Sequence, residues 1–174
     1  MHPLHNLIGQ ILVGTEMAGG EPLLGKDCGG DQYIQLFCNE RAARASRFCS
    51  IDAAVRKNGE LKTIIEIEET DIRPIALCGK AFASALASHF IHKGVIYPIA
   101  ARATFIQIID TSKLSSRSSK LDQCRYLLES VRKTLSTIGG SLRGYEIFHG
   151  DIAEFESAAA QLELRDTLQE ASSL

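Results

Sequence analysis

Tryptophan is absent from this chain of 174 residues, but other absences say more. No apolar stretch approaches membrane-spanning length, so no transmembrane helix and no membrane partner are expected. Behind Met1, His2 and Pro3 no cationic segment precedes an apolar run, as a secretory leader would require. An excess of one charge is also missing, with 19 basic residues against 21 acidic ones. That balance does not favour nucleic acid, yet a carboxylate-rich metal site can offset basic patches elsewhere. The five cysteines are odd in number and show no C-x-x-C spacing, which reads as reduced, mostly buried thiols in a cytoplasmic protein. Internal repeats and low-complexity segments are absent too. What is present, 45% hydrophobic residues, makes one domain large enough to bury a core.

The stretch from Phe48 to Lys80 organises the chain, because it sets acidic residues inside two otherwise apolar strands. Asn58-Gly59 between β-branched runs signals a hairpin. A two-residue loop would pair Lys57 with Glu60 and set Ile51 opposite Glu66, mixing charge with hydrocarbon on both faces. A three-residue loop with Gly59 left-handed pairs Arg56 with Glu60. Ile51, Ala53 and Val55 then face Ile65, Thr63 and Leu61, and this is the register expected. Asp52 falls opposite Ile64, on the same face as Glu66 and Glu68. Three carboxylates converging on one face repel each other unless a cation neutralises them. Hard oxygen ligands on adjacent strands suit Mg²⁺ or Mn²⁺. The competing reading of Glu-x-Glu is a solvated strand face. Asp52 on the partner strand, and a helix-forming segment that must cover one face of the sheet, weigh against it.

These residues resemble the PD-(D/E)XK nuclease superfamily, whose signature is Asp on one hairpin strand, Glu-x-Lys on the next, and then a helix. The match is Asp52 followed by Glu66-Ile67-Glu68. Ile51 stands where the family has Pro, and Glu68 where it usually has Lys. The second departure leaves the general base open. Lys80, on the following helix, is placed where related nucleases sometimes carry this lysine. The resemblance implies an α/β chain with the restriction-endonuclease-like αβββαβ core, a mixed central sheet flanked by helices, over residues 4–110. A C-terminal α-β-α addition over 118–171 completes a single nuclease domain.

The activity it implies is Mg²⁺-dependent hydrolysis of DNA phosphodiester bonds, with Mn²⁺ able to substitute, as in a type II restriction endonuclease. Double-stranded DNA is the expected partner, and a homodimer the expected assembly. Asp52 and Glu66, with the carbonyl of Ile67, are the implied metal ligands. Glu68 would hold the attacking water or a second metal, and Lys80 would neutralise the phosphate. The alternative is a catalytically silent relative that binds DNA or serves as a subunit, which the Lys-to-Glu departure supports.

Along the rest of the chain, residues 4–18 show helical spacing, with Glu16 either a further metal-site carboxylate or a surface residue. A glycine-rich loop is expected over 19–31. Its Gly20 to Lys26 spell G-x-x-x-x-G-K, but Asp27 replaces the Ser/Thr of a phosphate-binding loop and Pro22 removes an amide. A strand is expected over 32–37. Arg41, Arg44 and Arg47 follow at spacing three, able to pin phosphates or simply to sit on a solvated turn. Pro74 opens a helix expected to run to about residue 92, with Gly79 allowing close approach to the sheet. His89 and His92 on it read as core or capping residues. A buried strand is expected over 103–109, then a loop in which Lys113 and Arg117 could meet a phosphate backbone. Residues 119–138 form a helix with a narrow apolar seam for a helix partner, within the chain or across a dimer. A strand over 142–148 and a last helix, begun by a capping box of Asp151 and Glu154, end the chain.

Overall fold

The structure, a computed structural model, describes residues 2–70, 72–115 and 118–173. It is an α/β fold in which one mixed, open sheet of eight strands carries helices on its faces. Helix α1 (Pro3–Val13) is followed by β1 (Gly20–Leu24), β2 (Ile34–Phe37), β3 (Arg47–Ile51), β4 (Ala53–Lys57) and β5 (Glu60–Glu68). Then come α2 (Pro74–Leu86), β6 (His89–His92), β7 (Val95–Asp110), α3 (Lys120–Leu135), β8 (Leu142–Gly150), α4 (Ile152–Glu156) and α5 (Ala158–Ser173).

Two wings share β7. Its C-terminal part lies between β5 and β8, parallel to both, and β4 and β1 extend that wing in antiparallel order. Its N-terminal part pairs antiparallel with β6, and β2 and β3 extend the second wing. Parallel neighbours need crossovers, and α2 and α3 supply them. The apolar run expected over 103–109 is buried on both faces. Phe105 packs with Ile64 and Tyr145 on one side; Ile106 and Ile108 pack with Ile65, Ile67, Leu4 and Ile8 on the other. The seam of α3 is intramolecular, with Val131 and Leu135 in the first of these cores.

The expected hairpin needs a correction. Asn58 and Gly59 both take positive φ (53° and 79°), so the loop has two residues and Lys57 pairs with Glu60. The charge clash that argued against this loop is removed by a β-bulge. Arg56 pairs with Leu61 but Val55 with Thr63, leaving Lys62 as the extra residue. Beyond the bulge Ala53 faces Ile65, and the same register sets Asp52 opposite Glu66 rather than Ile64. The shift changes the partner but keeps the face.

The strand expected across 48–57 is broken at Asp52. There the chain bends from β3 in one wing into β4 in the other. The glycine-rich segment is not all loop: Gly20–Leu24 is β1, with Pro22 tolerated on a sheet edge. Its amides lie along β4, which is not the strand-to-helix cradle of a phosphate-binding loop. The second helix ends at Leu86, because residues 89–92 pair with β2 and turn back through Lys93 and Gly94, both at positive φ. His89 and His92 are therefore strand residues. A Cβ on Gly79 would meet nothing within 4 Å, so that glycine serves no close approach. Pro74 does open α2, and the capping box of Asp151 and Glu154 is present with both hydrogen bonds, at 2.8 and 2.7 Å.

The tight turn after β1 supports the bend. Gly25 N–H donates to the Asp52 carbonyl at 2.7 Å, and a Cβ on Gly25 would stand 2.5 Å from that oxygen. Gly25→Ala must push the two segments apart. It is expected to cost about 1–3 kcal/mol of stability, read as a lower urea midpoint at unchanged m-value.

Candidate functional site

The site lies where the bend at Asp52 meets the C-terminal half of β5 and the second turn of α2. Glu66 is 3% exposed, directly across from Asp52. Asp52 Oδ2 accepts a 2.8 Å hydrogen bond from the Ile67 amide, which aims the carboxylate along β5. From α2, Lys80 Nζ donates to Glu66 Oε2 at 3.1 Å and stands 3.5 Å from Glu68 Oε2. Starting α2 at Pro74 is what brings Lys80 over this strand end. Asp52, Glu66, Glu68 and Lys80 are thus gathered in one place.

One atom there is left over. Glu66 Oε1 is buried without a hydrogen-bond partner. Its neighbour on β7, Gln107, is already committed, donating to the Leu77 carbonyl at 3.2 Å and accepting from the Tyr145 hydroxyl. A buried carboxylate oxygen with no donor in reach suits a proton or a cation.

Electrostatics splits the two carboxyls. Burial, reinforced by the charge of Asp52, pushes Glu66 well above its ordinary 4.5, against the opposing pull of Lys80. Burial also pushes Asp52 up, but His5, Glu66 and the Ile67 amide together hold it below its ordinary 3.8. Burial lowers Lys80, yet Glu66, Glu68 and Asp52 more than compensate and raise it. Of the two carboxyls, Glu66 is therefore the one that holds a proton more readily. A divalent cation would take the place of that proton.

The pH dependence of stability follows. Folded Glu66 binds more protons than unfolded Glu66 above pH 4.5, so the metal-free protein should lose stability as pH rises through the raised value. His5, raised above 6.5 by Asp52 and Glu69 despite burial, adds loss above pH 6.5. The depressed Asp52 acts oppositely, its contribution vanishing as pH falls below 3.8. Urea midpoints between pH 3 and 9 should therefore fall on the alkaline side. Glu66→Gln, facing the same Asp52, Glu68 and Lys80, should flatten part of that limb.

The described residues among those expected to contact DNA lie on two connections, after β2 and after β7. Arg41, Arg44 and Arg47 are all exposed on the connection from β2 to β3 and its first strand residue. Lys113 reaches back to the Glu69 carbonyl at 3.2 Å, tying the loop after β7 to the end of β5. Arg117 lies outside the described residues. Glu16 is exposed and takes no part in the carboxylate group. His5 and Glu69, which sequence reasoning passed over, adjoin the site: His5 Nε2 is 3.6 Å from Asp52 Oδ1, and His5 Nδ1 is 3.3 Å from Glu69 Oε2. His-x-x-His at the start of α1 was the available signal, since that spacing puts both rings on one helix face.

No protein-family model, no curated protein and no solved structure matches this chain. Among the described residues, no helix is long and apolar enough to cross a membrane.

Proposed function

We propose that this protein is a metal-dependent endonuclease acting on double-stranded DNA, of the restriction-endonuclease-like kind. The observation that carries the reading is Glu66: buried, opposite Asp52, paired to Lys80 through one oxygen and orphaned at the other. Asp52, Glu66 and the Ile67 carbonyl would hold Mg²⁺, whose chemistry when bound is to acidify a water and draw charge from a phosphodiester. The chain's own residues supply the rest. Lys80 presents a fixed cation beside the carboxylates, where the transition state gains negative charge. Glu68, less buried than Glu66 and within reach of Lys80, can orient the attacking water and accept its proton. Ile67 N–H keeps Asp52 ionised and aligned. The order of elements supports the same reading. A helix precedes the antiparallel trio β1-β4-β5, which β2 and β3 interrupt in the chain; α2 crosses to the parallel β7, and α3 crosses to the parallel β8. The three strands of that trio are β1, β4 and β5, not the 32–37 strand and hairpin of the sequence expectation.

Plasmid DNA incubated with the protein tests the proposal. Cleavage with Mg²⁺ or Mn²⁺ and none with EDTA is the expected result. Absence of cleavage with both ions over a range of pH would reject it. The second reading is a catalytically silent relative that binds DNA or serves as a subunit. It rests on Glu68, which puts a carboxylate where the family's lysine would be and lets Lys80 bridge two acids structurally. Retained DNA binding without cleavage would select it.

A further inference from the structure

The start of α1 meets the residue following β5 through three side chains whose donor atoms converge. His2 Nδ1 and His5 Nδ1 stand 2.9 and 3.3 Å from Glu69 Oε2, and one donor atom from each residue lies within 4.8 Å of the others. Glu69 Oε1 accepts a hydrogen bond from the Leu4 amide. That bond fixes the carboxylate and leaves Oε2 turned to the two rings. Helix capping accounts for Oε1 and Leu4 but not for two imidazoles gathered at Oε2.

His5 supplies the deciding observation. The residue is 7% exposed and its Nδ1 points into the cluster, 3.3 Å from Glu69 Oε2 but outside hydrogen-bond geometry. Its other ring nitrogen faces Asp52 Oδ1 at 3.6 Å. A histidine with one nitrogen aimed into a donor cluster and the other turned to a carboxylate is arranged as metal-bound histidines are.

We propose that His2, His5 and Glu69 bind a divalent transition-metal ion of the Zn²⁺ class, with Asp52 as the outer partner that orients His5. Two imidazole nitrogens and one carboxylate oxygen suit such an ion and not Mg²⁺ or Ca²⁺, which prefer oxygen donors throughout. His2 is exposed, so the site opens to solvent and leaves room for water on the ion. Binding would tie the first turn of α1 to the end of β5 and press His5 against Asp52. The proposal does not depend on nuclease activity.

Calorimetric titration of Zn²⁺ into the full chain tests it, in a Cys38→Ser background that removes the exposed thiol as a rival ligand. In saturating Mg²⁺, which suits the all-oxygen site at Asp52 and Glu66 but not the imidazoles, one Zn²⁺ per chain is expected, with a higher melting temperature on binding. His2→Gln and Glu69→Gln should each weaken binding by ~10-fold or more. Both spare the buried His5, and the amide at position 69 can still accept from Leu4, so the circular dichroism spectrum should not change. Glu66→Gln should bind Zn²⁺ as the background protein does. The proposal is overturned if the background protein binds no Zn²⁺, or if His2→Gln and Glu69→Gln bind it undiminished. It is equally overturned if Glu66→Gln, rather than these two, removes the binding.

Discussion

Glu66→Gln is expected to abolish Mg²⁺-dependent DNA cleavage while leaving the fold at least as stable as the wild type. Glutamine keeps the shape of the side chain but cannot neutralise a cation with a full charge, so the metal would lose its central ligand. The activity loss should be ~10³-fold or more, on the scale of removing a fixed group that stabilises charge in the transition state. Stability goes the other way because the native carboxyl is held in a costly state. It is buried, next to ionised Asp52, and its pKa is raised. An amide carries no such penalty, and its N–H can donate to Asp52. Plasmid cleavage and urea unfolding, measured on the same preparation, check both halves. Cleavage at the wild-type rate under saturating Mg²⁺ would mean that Glu66 is not a ligand.

Lys80→Ala separates two roles that the geometry allows. If the ammonium offsets charge on the reacting phosphate, turnover at saturating Mg²⁺ should fall by ~10²-fold with little change in DNA binding. If Lys80 only balances Glu66 and Glu68, its loss should alter stability and the Mg²⁺ concentration needed, while turnover at saturation stays near wild type. The first result is expected, because the Lys80 side chain is 36% exposed while its partner Glu66 is buried, which leaves the lysine open to a bound phosphate. Single-turnover rates across a Mg²⁺ titration distinguish the outcomes.

The acidic face was readable from residue order because strand side chains alternate. Asp52, Glu66 and Glu68 share a face in any register of the correct parity, and the two-residue loop and the bulge at Lys62 together move the pairing by two from the expected one. The starting point of α2 was equally local, since Pro74 can open a helix but not continue one. So were the capping box at Asp151 and the doubly buried run in β7. In each case a short-range rule acts on neighbouring residues.

What only the tertiary structure decided involves partners distant in sequence. Residues 89–92 carry a helical apolar spacing, but pairing with β2 makes them a strand. The glycine-rich segment became an edge strand because β4 offered it backbone partners, and Gly25 became necessary because Asp52 lies against it. Lys80 sits 14 residues from Glu66, within reach of a sequence argument; Glu69 sits 67 residues from His2 and was not. Side-chain clusters that join a helix start to a strand end leave at most half a mark on the chain, here the His-x-x-His spacing without its glutamate. They arise from packing two elements whose separation in sequence carries no information about their separation in space.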